Sequence, residues 1–455
     1  MKHNQPKGAR DWALQILLDL EEKDSYSNLE LNRQLQESGL DSRDRGLVTE
    51  LVYGVIGRKN TLDYLVQRLT KNPNQLAPWV KWLLQIGMYQ LLYLDRIPER
   101  AAVHETVQIA KERGHKGISG LVNGVLRSFL RQRTALIPAE PKTTVEKAIA
   151  YAHPEWMVDR LEEVYGEETA RKMMDAQNQS ARLSLRINHL RWDRPEWMEE
   201  WEETTGTKAI ASDISPTGVI VEGVGNPANL QSFADGEFSI QDESSMLVGY
   251  ALSPDPGSRV LDMCAAPGGK TTHLAELMEN QGEIIANDIH PHKQGLIRQQ
   301  ADRLGIEIIR TRVGDARNLR QGFPAESFDA ILLDAPCSGL GVIHRKPDIK
   351  WRKDSQDVEA LVGLQRELLD TAASLLKPGG VLVYSTCTWE PKENSEQISD
   401  WLSAHSEMEA DESIWDKLPV IVREKALIGD SWVQILPHHF HSDGFFISRL
   451  RKKEA

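Results

Sequence analysis

Cysteine is nearly missing from this chain, with three in 455 residues. So small and odd a number builds no disulfide framework, and a chain this long buries enough core to need none. Long apolar runs are missing too: none approaches the roughly 18 residues of a membrane-crossing helix, and Met1-Lys2-His3-Asn4-Gln5-Pro6-Lys7 leads into no apolar signal segment. The cysteines lack Cys-x-x-Cys spacing and the histidines are scattered, so no metal site is expected. These absences predict a cytoplasmic protein with reduced thiols and no membrane partner.

An excess of positive charge is also absent, since the net charge is −13. Divided along the chain, the picture changes. Residues 1–135 hold 20 Lys and Arg against 15 Asp and Glu, a local +5, and the remainder carries −18. A basic segment joined to an acidic body fits an RNA-docking module fused to a catalytic domain, although a merely solvated basic surface would give the same count.

Residues 8–133 read as successive helices. Ala9, Ala13, Leu17 and Leu20 share one face, as do Leu47, Leu51 and Val55, and Pro98 and Gly114 bracket a further helix. No strand pattern interrupts them. Ile137-Pro138-Ala139-Glu140-Pro141-Lys142 has the composition of a linker, and Leu183-Ser184-Leu185-Arg186-Ile187-Asn188 is a short alternating strand in a small α+β segment. From about Phe238, apolar runs alternate with helical segments, as in a parallel sheet covered on both faces. Strands are expected at 259–262, 283–288, 307–313, 330–334 and 381–385, with a closing edge hairpin at 432–436 and 444–449. The predicted organisation is an all-α domain over 1–135, a linker and small α+β subdomain over 136–235, and an α/β Rossmann-like domain over 236–455.

The first expected strand of that sheet runs into Cys264-Ala265-Ala266-Pro267-Gly268-Gly269-Lys270-Thr271-Thr272. Small residues let backbone N–H groups and a helix N-terminus approach a ligand closely. The string is one residue from a phosphate-binding P-loop, with Cys264 in place of the first glycine. Two acids favour a different cofactor. Asp288 ends the second strand about 20 residues past the glycine pair, where a carboxylate accepts ribose hydroxyls. Asp315, in Gly314-Asp315-Ala316, follows the third strand and suits an adenine ring. An adenosine cofactor without a phosphate tail, S-adenosylmethionine, accounts for both acids better than a nucleotide triphosphate does.

Two of the three cysteines close two further strands, Cys337 in Asp334-Ala335-Pro336-Cys337-Ser338-Gly339 and Cys387 in Ser385-Thr386-Cys387-Thr388. Carbon 5 of a pyrimidine is a poor nucleophile until a thiolate adds at carbon 6 and turns the ring into an enamine. Such chemistry needs a thiolate, an acid or proton sharer at the ring nitrogen and a base for the final step, and Cys387, Asp334 and Cys337 can supply these. Lys270 is a candidate for lowering a thiol pKa. A lone cysteine is usually a small buried apolar residue, the reading kept for Cys264. The segment 341–351 is basic and aromatic and is expected to line an RNA channel.

With these residues in view, the chain resembles the RNA (cytosine-5) methyltransferases, and within them the bacterial small-subunit ribosomal RNA methyltransferase B type, also called Sun or Fmu. Gln241-Asp242-Glu243-Ser244-Ser245, the string from Leu261 to Lys270, the two cysteine turns and Arg345-Lys346-Pro347-Asp348 carry the likeness. The N-terminal helices resemble a NusB-type RNA-binding domain through Arg10, His104-Glu105 and Val122-Asn123-Gly124-Val125-Leu126. The departures, Met263 for a frequent Leu and Trp389 after Cys387-Thr388, leave the chemistry untouched. The resemblance implies methylation of carbon 5 of a cytosine in 16S ribosomal RNA, with Cys387 as nucleophile and Cys337 assisting release of the adduct. It implies S-adenosylmethionine held by Cys264, Ala265, Ala266, Pro267, Gly268, Gly269, Lys270, Asp288, Asp315 and Asp334. The expected partner is small-subunit ribosomal RNA, naked or in a partly assembled subunit, bound by a monomer. A P-loop-like nucleotide-binding enzyme and a non-catalytic NusB-like RNA-binding factor are the rival readings.

Overall fold

A computed structural model describes residues 6–23 and 27–454, and the chain divides into two compact units. The first holds the residues up to Gln179 together with Ile343–Arg352, and the second holds Ser180–Val342 and the chain from Lys353 onward.

The first unit is helical. The helices Gly8–Lys23, Ser27–Glu37, Ser42–Gly57, Lys59–Leu69, Pro78–Tyr93, Glu99–Arg113 and Lys116–Leu136 precede Thr144–Ala150, Glu155–Tyr165 and Glu167–Gln177. Ala9, Ala13, Leu17, Leu51 and Val55 are buried in its core, with Leu20 and Leu47 packed against it, as the helical spacing requires. The Pro78–Tyr93 helix is buried along most of its length, from Val80 to Leu91. Pro98 caps one end and Gly114 the other end of the Glu99–Arg113 helix, as expected.

The segment Ile343–Arg352 is built into this unit. Lys350 is 1 % exposed and donates to Gly57 O (3.2 Å), Ala152 O (3.1 Å) and Asn178 Oδ1 (2.7 Å). Trp351 Nε1 donates to Ile56 O (2.7 Å), and Ser27 Oγ donates to Asp348 Oδ1 (2.6 Å). The expectation that this basic, aromatic stretch lines an RNA channel is therefore corrected for Lys350 and Trp351. Their polar atoms are taken up by three backbone carbonyls and the Asn178 side-chain oxygen inside the unit, and Lys346 is left exposed.

The second unit contains two sheets. The smaller is antiparallel, with strands β1 (Leu183–Ile187), β2 (Ala209–Ala211), β3 (Gly218–Val221) and β4 (Phe238–Ile240) in the order β2-β3-β1-β4. Trp197 and Trp201 of the helix Arg194–Thr205 meet Phe238 edge-on to close its core.

The larger sheet contains β5 (Arg259–Asp262), β6 (Glu283–Asp288), β7 (Ile309–Val313), β8 (Phe328–Asp334), β9 (Leu376–Thr386), β10 (Met408–Ala410), β11 (Leu427–Ile428), β12 (Trp432–Ile435) and β13 (Phe445–Lys452). The order is β11-β12-β13-β9-β8-β5-β6-β7, with β10 pairing β13. Strands β9, β8, β5, β6 and β7 run parallel. Alternate side chains enter two cores. Val260, Ala330, Leu332 and Val383 pack with Leu247, Leu274 and Ala301 on one face, and Leu261, Ile331, Leu333 and Leu382 pack with Leu368, Leu369 and Trp401 on the other. The closing hairpin forms, but β13 lies inside the sheet beside β9 instead of at an edge. All five parallel strands deliver their carboxyl ends to one side, where open α/β sheets bind ligands.

Candidate active site

Strand β5 ends at Asp262, which is fully buried. Thr271 Oγ1 donates to its Oδ2 (2.7 Å), its Oδ1 meets no well-aligned donor among the described residues, and burial pushes its pKa up to about 7. The chain then turns through Cys264, Ala265, Ala266 and Pro267 to Gly268, whose φ is +106°. That backbone conformation favours glycine, and a Cβ there would also crowd Ile297 Cα at 3.2 Å. The next helix, Gly269–Leu277, starts immediately. Cys264 packs against the core beneath, and burial, reinforced by Asp262, Asp334, Asp288 and Asp315, pushes its thiol pKa well up. It is a protonated, packed residue here.

Asp288 closes β6. Its Oδ2 accepts from Ala266 N (3.2 Å) and its Oδ1 from His290 N (2.9 Å), so the acid and the loop hold one another. Asn287 Nδ2 donates to Met263 O and Gly314 O, both at 3.0 Å, and ties the ends of three neighbouring strands together. Asn287 Oδ1 is buried without a partner among the described residues. Asp315, after β7, is half-buried and paired with Arg317 at 2.6 Å, which lowers its pKa.

Asp334 ends β8 between two donors, Lys270 Nζ (2.7 Å) and Ser385 Oγ (2.9 Å). Burial works against the Lys270 ammonium, but Asp334, with Cys387 and Asp262 behind it, outweighs this and holds the pKa above the ordinary lysine value. The ammonium also lies 4.9 Å from the centre of the Phe445 ring.

Three residues past Asp334 comes Cys337, and Cys387 follows directly on β9. Their sulfurs are 3.4 Å apart. Contact with the Cys387 sulfur, followed by burial, pushes the Cys337 pKa far up. The Cys387 turn is held from outside by two glycines. Gly341 N donates to Cys387 O (2.9 Å), Gly444 N donates to Gly341 O (2.9 Å), and a Cβ on Gly341 would fall 1.9 Å from Gly444 O.

The structure thus brings Cys264 to Lys270, Asp288, Asp315, Asp334, Cys337 and Cys387 to the ends of adjacent strands. Sequence reasoning missed Asp262 and Ser385. Asp262 had a legible signal, an acid ending an apolar run, whereas Ser385 meets Asp334 only through strand pairing.

The donor set also bears on the cofactor. A triphosphate would meet Asp262, Asp288 and Asp334, with the Ala266 N–H already taken and Lys270 already paired, which is unfavourable for an anion. A cofactor bearing an ammonium, a sulfonium and ribose hydroxyls finds acceptors instead, including Asp262 Oδ1 and Asn287 Oδ1. These residues fit S-adenosylmethionine. Among the described residues, no group of three or more His, Cys, Asp or Glu could hold a metal ion, and no helix is long and apolar enough to cross a membrane.

Comparison with known proteins agrees with this geometry. Residues 249–451 match the family model "16S rRNA methyltransferase RsmB/F", 7–131 match the NusB family, and 153–226 match the ferredoxin-like domain of RsmF/B-like methyltransferases. A relative from Bacillus subtilis (strain 168), "Probable ribosomal RNA small subunit methyltransferase B", is 44 % identical over 98 % of both chains. The solved structure of PH0851 is 27 % identical with a TM-score of 0.78, covering 98 % of this chain and 99 % of that one. NSun6 from Pyrococcus horikoshii, solved with SFG, is 25 % identical with a TM-score of 0.58, covering 67 % of this chain and all of that one. The three family matches lie in order along one chain, and the full-length likeness spans all of them: the chain belongs to the ribosomal RNA small subunit methyltransferase B family, enzymes that take their methyl group from S-adenosylmethionine.

Proposed function

We propose that this protein methylates carbon 5 of a cytosine in small-subunit ribosomal RNA through a covalent adduct, with Cys387 as nucleophile and Cys337 assisting its release. The observation that carries the reading is the 3.4 Å separation of the two sulfurs at the ends of adjacent strands, beside the Lys270–Asp334 pair. Cys387 also lies in the electrostatic surroundings of the Lys270 ammonium, the kind of positive environment that suits a nucleophilic cysteine, which supports Cys387 as the attacking residue.

The loop Cys264 to Lys270, with Asp288, Asp315 and Asp334, would hold the cofactor. S-adenosylmethionine, when bound, supplies an electrophilic methyl group. The Cys387 sulfur lone pair forms the bond to carbon 6, and the carbon 5–carbon 6 π pair shifts to make carbon 5 nucleophilic. Asp334, fixed by Lys270 and Ser385, is the group assigned to the ring nitrogen. After methylation the carbon 5 proton leaves to water. Its bonding pair restores the ring double bond, and Cys387 departs with the electrons of its bond to carbon 6. The Cys337 thiol, in contact with that sulfur, stabilises the departing thiolate. The base reaches these sulfurs only out of its stack, which fits a looped or flipped cytosine. The NusB-like helices, with their excess of basic residues, would dock the RNA.

The test mixes wild type, Cys387→Ala and Cys337→Ala with S-adenosylmethionine and small-subunit ribosomal RNA and follows methylation and denaturation-resistant adducts. Loss of methylation in Cys387→Ala with an adduct trapped in Cys337→Ala is the expected pattern. The reverse would assign attack to Cys337, and full methylation by both would remove the covalent route.

A further inference from the structure

The two cysteine turns are joined by a carboxylate that the methyl-transfer scheme does not use. Glu393 is 0 % exposed. Its Oε2 accepts from the backbone N–H of Ser338 (2.9 Å), and its Oε1 accepts from the Ser338 hydroxyl. The same hydroxyl lies 2.8 Å from Thr388 Oγ1. Ser338 follows Cys337 and Thr388 follows Cys387, so one side chain reaches both turns, the second through a single hydroxyl.

The surroundings fix Glu393 in turn. Gln365 Nε2 donates to Glu393 Oε2 and to Pro336 O, both at 2.9 Å, and so grips the residue before Cys337 as well. The Tyr384 hydroxyl donates to Glu393 O (2.7 Å). The neighbouring Asn394 donates to Thr388 O (3.0 Å) and to Gln434 Oε1 (2.7 Å), and its Oδ1 accepts from Thr386 Oγ1. Residues on both sides of each cysteine are therefore tied to Glu393 and Asn394 or to side chains they bind. Burial raises the Glu393 pKa, the cost of keeping a carboxyl group in this place. A buried polar network of this kind restricts geometry, and here each Glu393 carboxylate oxygen is bonded while Gln365 Oε1 has no partner among the described residues.

We propose that Glu393 is a positioning residue of the active site, setting the separation of the Cys337 and Cys387 sulfurs. Its catalytic meaning rests on the covalent reading above, whereas its effect on the sulfur separation does not. Without the carboxylate, the Ser338 N–H is left buried and unpaired, and the Cys337 turn must shift to find another acceptor.

The test uses the full-length protein and an azodicarboxamide oxidant, which takes up two electrons and two protons as the two thiols become a disulfide. The rate is followed by counting free thiols. Glu393→Gln and Glu393→Ala both delete the charge. Only Gln can still accept from Ser338 N–H and Gln365 through its oxygen while donating to Ser338 Oγ. The expected result is disulfide closure near or above the wild-type rate in Glu393→Gln and at least tenfold slower in Glu393→Ala, with kcat falling in the alanine variant and the KM for S-adenosylmethionine unchanged. Equal rates in the two variants would overturn the assignment. Should Glu393→Ala fail to fold, Ser338→Ala, which deletes only the hydroxyl link to Thr388, is expected to slow closure several-fold, and a wild-type rate there would overturn it equally. Slowed closure alongside full methylation by Cys387→Ala would uphold the positioning role and remove the covalent reading alone.

Discussion

Arg186 and Glu276 form a bidentate ion pair closed to solvent, with Nε to Oε2 at 3.0 Å, a terminal nitrogen to Oε1 at 2.7 Å, and neither side chain exposed. The other Arg186 donors reach Gly269 O (2.7 Å), Thr272 Oγ1 (3.1 Å) and Gln241 Oε1. A residue of β1 in the small sheet thereby holds the first turn of the helix after the cofactor loop. Arg186→Ala leaves Glu276 buried and unpaired, with an expected stability loss of about 3–5 kcal/mol in chemical denaturation. Arg186→Met with Glu276→Leu should recover most of that stability. S-adenosylhomocysteine binding by calorimetry should remain weakened in the double variant, because Gly269 O still lacks its donor. Wild-type affinity there would separate the pair from the cofactor site.

Asp262 gives the stability a specific pH dependence. Its folded pKa of about 7 lies above the ordinary aspartate value of about 3.9, so the folded state holds the extra proton between them. The stabilisation is fully present below about pH 4 and is lost as pH rises through 7, with an upper limit of about 4 kcal/mol. Between pH 5 and 8, the melting temperature of wild type should therefore fall more than that of Asp262→Asn. An equal fall in both would show that Asp262 titrates normally.

Lys270→Met should lower methylation about 100-fold, the scale of losing one preorganised charge. The variant removes the cation from Asp334 and from the field of Cys387 while keeping the length of the stem. Single-turnover assays at saturating S-adenosylmethionine would detect the loss. A change confined to KM would limit Lys270 to cofactor binding.

Gly341→Ala tests the support of the nucleophile's turn. The added methyl group collides with Gly444 O, so the backbone must move, at a cost of roughly 1–3 kcal/mol. Because Gly341 N holds Cys387 O, methylation should fall further than the fraction unfolded explains. Activity measured well below the variant's melting temperature separates the two effects.

Lys350→Met tests the inserted segment of the helical unit. Burial pushes the Lys350 pKa well down, yet its three donors face three oxygens, the arrangement an ammonium needs. Removing it should destabilise the helical unit by roughly 3 kcal/mol. Methylation of RNA by the folded fraction should be retained, because this side chain is spent inside the unit.

The sequence made the strand ends legible because chemistry and periodicity coincide there. Asp288, Asp334, Cys337 and Cys387 each follow an apolar run, and a parallel sheet places such positions side by side. Strand starts were harder to read. β9 begins at Leu376 and passes through Pro378-Gly379-Gly380, a string that reads as a turn, yet Leu376 pairs Phe328. Strands of two or three residues, such as β10 and β11, are too short to show a period. Arg186, Glu393 and Lys350 were illegible for another reason. Their partners lie 90, 55 and up to 293 positions away, a separation that no local pattern encodes.

The residence of Ile343–Arg352 in the helical unit also bears on the order of manufacture. A ribosome releases the chain from its N-terminus, and domains ordinarily close as they emerge. Here Ile56 O, Ala152 O and Asn178 Oδ1 must wait for Trp351 and Lys350, which appear only after β8 and the Cys337 turn have been made. The helical unit therefore lacks this segment until β5 to β8 of the larger sheet have been made, with β9 to β13 still to come, and a fragment ending at residue 179 would lack its last piece.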